Sequence, residues 1–471
     1  MTTPTLNPDR LFPPDQTTRK IARRIYEEIQ SLPIISPHGH TEPRWFAENP
    51  FFANPSALLI IPDHYIFRLY YSQGVPMESL GIPAVDGSPV ETDPRKIWRV
   101  FAENFHLMWG TPSGLWLEHE LSEVLGIKQP LSAQTADSIY DEIAAKLLKP
   151  EFRPRELYER FNIEVLSTTE TPLSDLRHHI AVEQSGWKGR IVPAFRPDCV
   201  TDPEYYPDFH DNIVRLGDIA HEDTAHWAGY LSALRTRRQF FIEHGATSTD
   251  HGHPTAGTAD LSRPECEALY GRILGKTYTP ADAELFRRQM LTEMARMSLD
   301  DGLVMQIHPG CWRSHNEAVY SRFGRDKGGD IPVAGEFPAA LKPLLDLYGN
   351  DRRLSIILFT LDETTYAREL APLAGHYPTL RLGPPWWFHD SPEGMMRFRR
   401  QTTETAGFYN TVGFNDDTRA LLSIPARHDI ARRVDSAFLA GLVVEHRLHE
   451  DAAVKIARDL TYSLPKAAYK L

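Results

Sequence analysis

Cysteine is scarce and scattered: the 471 residues hold three, Cys199, Cys266 and Cys311. The number is odd and none is spaced as a metal ligand, which argues against a disulfide framework and fits reduced thiols in a cytoplasm. No apolar run approaches the length of a membrane span. The opening stretch, Met1 to Asp15, has no basic segment ahead of an apolar one and does not read as a signal peptide. There is no basic run either, and 51 Lys and Arg against 63 Asp and Glu give a net charge of −12, so neither nucleic acid nor a membrane is an expected partner. An anionic substrate meets a repulsive overall field unless clustered arginines or a metal reverse it locally. Internal repeats and low-complexity segments are absent.

What the chain does have is length, enough for a large barrel with insertions or for two to three ordinary domains. Apolar positions Ile21, Ile25 and Ile29 among charges predict a helix over Gln16 to Gln30. Eight short β-rich runs follow: Ile34–Ser36, Ile163–Ser167, Ile191–Phe195, Gly245–Thr249, Leu303–Ile307, Leu354–Phe359, Leu380–Leu382 and Thr411–Phe414. Strands alternating with helical patterns argue for parallel βαβ units, and eight of them for a (β/α)8 TIM-type barrel. The expected organisation is a helix and first strand in residues 1–40, a mainly helical, aromatic-rich insertion in 41–160, and the rest of the barrel in 161–471.

Barrel chemistry gathers at the C-terminal strand ends. Those ends offer His38 and His40, Thr168 to Glu170, Arg196 and Asp198, Asp250 and His251, His308, Thr360, Trp386 and Trp387, and Asp417 with Arg419. In His38-Gly39-His40, residues two apart on a strand face the same way and present two nitrogens to one divalent ion, though two such histidines are also ordinary loop residues. A zinc-type ion wants at least one more ligand, commonly a carboxylate. The first and eighth strands are neighbours in a closed barrel, which brings in Asp417 and, in competition with it, Asp416. Either aspartate also fits a turn or a helix cap. A second tripeptide, His251-Gly252-His253, starts directly after the expected fourth strand, but its His253 falls in a loop before Pro254, so a metal is not expected there.

Several separated motifs carry a resemblance: His38-Gly39-His40; Asp63-His64-Tyr65 with Arg68; Arg196-Pro197-Asp198; Asp250-His251-Gly252; Met305-Gln306-Ile307-His308; Trp386-Trp387-Phe388; and Asp417-Thr418-Arg419 followed by Arg427-His428. In kind and order they resemble the uronate isomerases of the amidohydrolase superfamily over nearly the whole chain. The resemblance implies a distorted barrel with a helical insertion after the first strand. It implies interconversion of D-glucuronate with D-fructuronate and of D-galacturonate with D-tagaturonate. By matching position it casts His38, His40 and Asp417 as ligands of one divalent ion per chain, of the zinc type. It places His64, Tyr65, Arg196, His308 and Arg419 around a small uronic acid. Gly39 is often another residue in relatives, and Pro309 to Asn316 departs in detail.

The residue types suit the chemistry. Moving a proton from C2 to C1 of an open-chain sugar through an enediol requires a base, an oxyanion stabiliser and a clamp for the carboxylate. Arg196 and Arg419 are candidates for the clamp, since the planar guanidinium matches a carboxylate bidentately, although surface pairing is the commoner fate of an arginine. Asp417 and Tyr65 are the candidates for proton transfer. His64 either bonds a substrate hydroxyl or is structural, and Trp386 and Trp387 wall the pocket or pack its loop. Two other readings compete. A metal-dependent hydrolase of the same superfamily would use a metal-activated water, but the fourth strand end offers Asp250 and the sixth Thr360 in place of its usual ligands. A non-catalytic sugar-acid binder would need no acid–base pair. A homo-oligomer is the expected assembly.

Overall fold

The structure is a computed structural model that describes residues 6–471. Nine strands form, β1 (Ile34–Ser36), β2 (Ile163–Glu170), β3 (Ile191–Phe195), β4 (Ser248–His251), β5 (Val304–Ile307), β6 (Cys311–Trp312), β7 (Ile331–Pro332), β8 (Ile356–Leu358) and β9 (Leu380–Leu382). Seven are parallel, in the order β1-β2-β3-β4-β5-β8-β9, and curl into an open barrel, while β6 and β7 make a separate antiparallel pair. Of the expected strands, Ile34–Ser36, Ile191–Phe195 and Leu380–Leu382 have the predicted bounds.

The second expected strand runs on to Glu170 and takes Thr168 to Glu170 into the strand, the fifth and sixth are shorter by one and three residues, and two others differ more deeply. The fourth starts at Ser248 rather than Gly245, because Gly245, at φ +86°, belongs to the end of the preceding helix, Trp227–Glu243, and donates back to the Ile242 carbonyl. Asp250 and His251 therefore lie within the strand and not beyond it. The eighth, Thr411–Phe414, shrinks to a single parallel bridge between Leu382 and Thr411. Gly413 adopts φ +82° and turns the chain, and a Cβ there would collide with the Leu460 carbonyl, so the C-terminal segment packs where a regular strand would run. Beyond the strands, the Asp417 N–H donates to the His38 carbonyl (3.3 Å) and the His40 N–H to the Thr418 carbonyl (3.0 Å), which joins the last barrel segment to the first.

Inside the barrel, Ile35, Val165 and Val192 pack with Leu471, and Val304, Ile357, Phe359 and Val412 with Tyr469. Period-2 alternation then carries Arg196 and His308 to the open end above Val192 and Val304. The fully buried Tyr469 hydroxyl donates to Gln306 Oε1 (2.9 Å) and accepts from Asn415 Nδ2 (2.6 Å). Tyr469→Phe strands both amides and is expected to cost about 1–3 kcal/mol, read as a lower thermal midpoint. An unchanged midpoint would show that the hydroxyl contributes nothing.

Between β1 and β2 every regular element is a helix, from Pro43–Glu48 to Pro154–Arg160. Its buried Phe46, Phe67, Tyr70, Trp98 and Phe101 share one core with Ile34, Ile163, Leu166 and Ile191 of the barrel. The first helix, Gln16–Glu27, is capped by the Asp15 side chain on the Thr18 N–H and ends three residues before Gln30. No helix among the described residues is long and apolar enough to cross a membrane.

Candidate active site

The joint between the first and last barrel segments sets the centre of the site. Asp417 takes the left-handed conformation (φ 43°), which an aspartate tolerates better than most residues. Its Oδ1 lies 3.1 Å from His40 Nε2 and 3.4 Å from His38 Nε2. These separations exceed a good charge-assisted hydrogen bond, about 2.7–2.9 Å. They match the roughly 3.3 Å between ligands of a tetrahedral ion with bonds of about 2.0–2.2 Å. His38 is buried and its Nδ1 has no hydrogen-bond partner among the described residues. His38, His40 and Asp417 thus form a group able to hold a divalent ion. Asp416, the competing aspartate, turns to a different partner and bonds His428 Nε2 at 2.9 Å. Burial works to raise the Asp417 carboxyl, but His38 and His40 outweigh it and hold the group well below the usual carboxylate range.

A second group, His38, Asp250 and His308, adjoins the first. His308 stacks against His38 (centroids 4.8 Å apart) and Phe359 (3.8 Å), and its Nδ1 bonds Asp250 Oδ1 at 2.8 Å. Asp250 Oδ2 lies 3.1 Å from Arg196 Nη1, while Arg196 Nε donates to Asp198 Oδ2 (2.8 Å). Burial opposes ionisation of Asp250, yet Arg196 and His308 draw its carboxyl well below the ordinary range.

Asp198 also accepts the Gly252 N–H (3.0 Å), which explains the second tripeptide. A Cβ at Gly252 would overlap Arg196 Nη2 and lie 2.6 Å from Arg313 Nη2, so two guanidinium groups converge over this glycine. The flanking histidines pair with hydroxyls, His251 Nε2 with Thr249 Oγ1 (2.9 Å) and His253 Nε2 with Thr201 Oγ1 (3.0 Å), and among the described residues neither joins a group able to hold a metal. Arg313, held by Asp330 at 3.1 Å, is a site residue that the sequence did not reveal. Arg419, the other expected clamp, is part-exposed and pairs with Asp326 (3.2 Å).

The helical stretch supplies the remaining wall. Asp63 caps the helix His64–Ser72 by accepting the Tyr65 N–H (2.8 Å), which sets His64 and Tyr65 in its first turn against the cavity. His64 meets Trp387 edge-on at 4.7 Å, and burial, with Arg419 adding to it, lowers its pKa to about 3, so the ring is neutral. Tyr65 packs edge-on against Trp116 and Trp387 and donates its hydroxyl to Asp390 Oδ2 (2.8 Å). Asp390, two residues past Trp386-Trp387-Phe388, is a second residue missed in the sequence. These walls enclose about 330 Å³, a volume suited to one sugar acid.

A family model described as glucuronate isomerase matches residues 16–469. The chain belongs to the glucuronate isomerase family. It is 63% identical to the uronate isomerase of Phenylobacterium zucineum, over 99% of this chain and 97% of that one, and 62% identical to that of Rhizobium meliloti, over 99% of each. Among solved structures, glucuronate isomerase from Caulobacter crescentus superposes with a TM-score of 0.97 at 60% identity, covering 99% of this chain and 97% of that one. A uronate isomerase from Thermotoga maritima gives 0.91 at 27% identity, covering 99% of each chain. A putative metal-dependent hydrolase from Lactobacillus casei, 13% identical with a TM-score of 0.53, shares the fold alone. The isomerase reading of the motifs therefore stands, and the hydrolase alternative is not favoured.

Proposed function

We propose that this cavity binds an open-chain uronic acid and interconverts aldose and ketose, D-glucuronate with D-fructuronate and D-galacturonate with D-tagaturonate. One observation carries the reading: two guanidinium groups, Arg196 and Arg313, converge in the same cavity as the His38–His40–Asp417 cluster. In a chain of net charge −12, that convergence supplies the local reversal of sign an anionic sugar needs. Arg196 and Arg313 take the C6 carboxylate, and Asp198, Asp250 and Asp330 fix the two forks in place.

Neutral His64 offers a hydrogen bond to a sugar hydroxyl, as does His308, whose Nε2 is unpartnered among the described residues. Arg419 adds positive charge at the rim. A single divalent ion, which we take to be zinc, would be held by His38, His40 and Asp417 and supplies Lewis-acid polarisation of the substrate oxygens when bound. Tyr65 and Asp417 carry the proton between C2 and C1. Trp386 and Trp387 exclude water from the enediol side of the pocket.

A coupled assay for ketose formation from D-glucuronate and D-galacturonate tests the reaction, and failure with both would overturn it. Arg313→Ala tests the clamp. Losing one charge-assisted pair worth about 1.5–3 kcal/mol should raise KM for the uronate about tenfold to a hundredfold, with less effect on kcat. An unchanged KM would place the carboxylate elsewhere.

A further inference from the structure

Tyr65 has a partner that the reaction as described does not yet use. Its hydroxyl donates to Asp390 Oδ2 at 2.8 Å, and the same oxygen accepts Arg427 Nη1 at 2.7 Å. All three side chains are buried, and Asp390 Oδ1 has no hydrogen-bond partner among the described residues. Arg427 is itself pinned: it donates to the Asp416 carbonyl (3.1 Å) and to Ser423 Oγ (2.9 Å), and its guanidinium lies 3.6 Å from the centre of the Trp116 ring. The carboxylate is thus held on the protein side of the tyrosine, with the phenol proton turned toward it and the oxygen lone pairs left for the cavity.

We propose that Asp390 is the proton partner of Tyr65: as Tyr65 Oη takes the proton from C2, its own proton passes to Asp390 Oδ2, and both return when C1 is protonated. The inference rests on the reading of Tyr65 as a proton carrier. The balance closes within the site. The C2–H electron pair becomes the C1=C2 bond and the carbonyl π pair moves to the C1 oxygen, giving an enediolate. The C2 hydroxyl proton then passes to the C1 oxygen as the C2 carbonyl forms and Tyr65 delivers its proton to C1, so both protons are accounted for with no external oxidant or reductant.

The physical need is plain. Burial and the neighbouring Asp390 charge raise the Tyr65 hydroxyl well above its ordinary value, so the phenol does not ionise on its own near neutrality. A base in this state works when its proton leaves as the new one arrives. Asp390 suits that part, since burial lifts its carboxyl above the usual range while Arg427 limits the rise. Asp390 touches no substrate in this scheme and is a positioning residue.

Kinetics of Tyr65→Phe, Asp390→Asn and the double variant decide the matter. Asp390→Asn should lower kcat by about a hundredfold or more, the usual scale of general acid–base catalysis, with KM within about threefold. The double variant should be no slower than Tyr65→Phe alone, because both changes cut one path. Multiplying losses, or a near-normal kcat for Asp390→Asn, would overturn the proposal while leaving the role of Tyr65 intact. A near-normal kcat for Tyr65→Phe would instead overturn the reading beneath it. If Asp390→Asn does not fold, the wild-type enzyme still gives the answer. With a C2-deuterated sugar, which makes the proton step limiting, the paired transfer predicts slower turnover in D2O than in H2O, and equal rates would refute it.

Discussion

Asp417→Asn is expected to lose about a thousandfold or more in kcat, at the upper end of what general acid–base groups contribute, and to retain no divalent ion through gel filtration. The carboxylate stands between His38 and His40 with one oxygen 3.4 Å and 3.1 Å from their Nε2 atoms. An amide offers an uncharged oxygen in its place, so the attraction for a cation and the ability to take a proton go together. Asparagine is the right probe because it accepts the left-handed backbone at this position, whereas alanine would add strain. The backbone bond to His38 survives, and with it the fold. Metal analysis of the purified protein beside initial rates reads both effects. Normal turnover would remove Asp417 from the chemistry.

Gly252→Ala should cost nearly as much without replacing a single charged residue. The position has no unusual φ, so the backbone permits alanine, and the penalty comes from space. The new methyl would lie on Arg196 Nη2, 2.6 Å from Arg313 Nη2 and 2.9 Å from Asp198 Oδ2. Free arginine tips would swing aside at little cost. These cannot, because Asp198 and Asp250 grip one fork and Asp330 the other. Both guanidinium groups must leave their anchors together, which is expected to lower kcat/KM about a hundredfold or more, given about 1.5–3 kcal/mol for each charged hydrogen bond disturbed. The thermal midpoint should fall as well, because buried Asp198 and Asp250 lose their guanidinium partner. Unaltered kcat/KM would mean that the two forks are not where the substrate binds.

The parts of the site that lie just past the strand ends were legible in the sequence, since barrel chemistry gathers there. Arg196 and His308 follow β3 and β5 directly and keep the alternation of Val192 and Val304, whereas His38 and His40 lie beyond the end of β1 at Ser36 and out of step with the inward Ile35, so their position past the strand and not alternation marks them. The choice between Asp416 and Asp417 was not, because adjacent residues in an irregular segment face differently for reasons outside it. Here His428, from the helix Ile424–Val444, takes Asp416. Arg313 follows a two-residue ladder too short to leave a pattern, and Asp390 lies in a loop whose shape depends on Arg427. The fourth strand was misplaced by a helix ending at Gly245, and the eighth was reduced by close approach of the C-terminal segment at Gly413. In both places tertiary packing overrode a local preference for extended chain.

The joint between the first and last barrel segments also sets a timetable. His38 and His40 are made early in synthesis, but the cluster they form with Asp417 is complete only when nearly the whole chain exists, and Tyr469 and Leu471 close the barrel from its other end. A nascent chain that has not reached Asp417 cannot assemble the three donors. A cation bound across them would favour the finished barrel over every shorter intermediate, by an amount that grows with its free concentration. Competence to bind an ion therefore waits on the docking of the last barrel segment against the first.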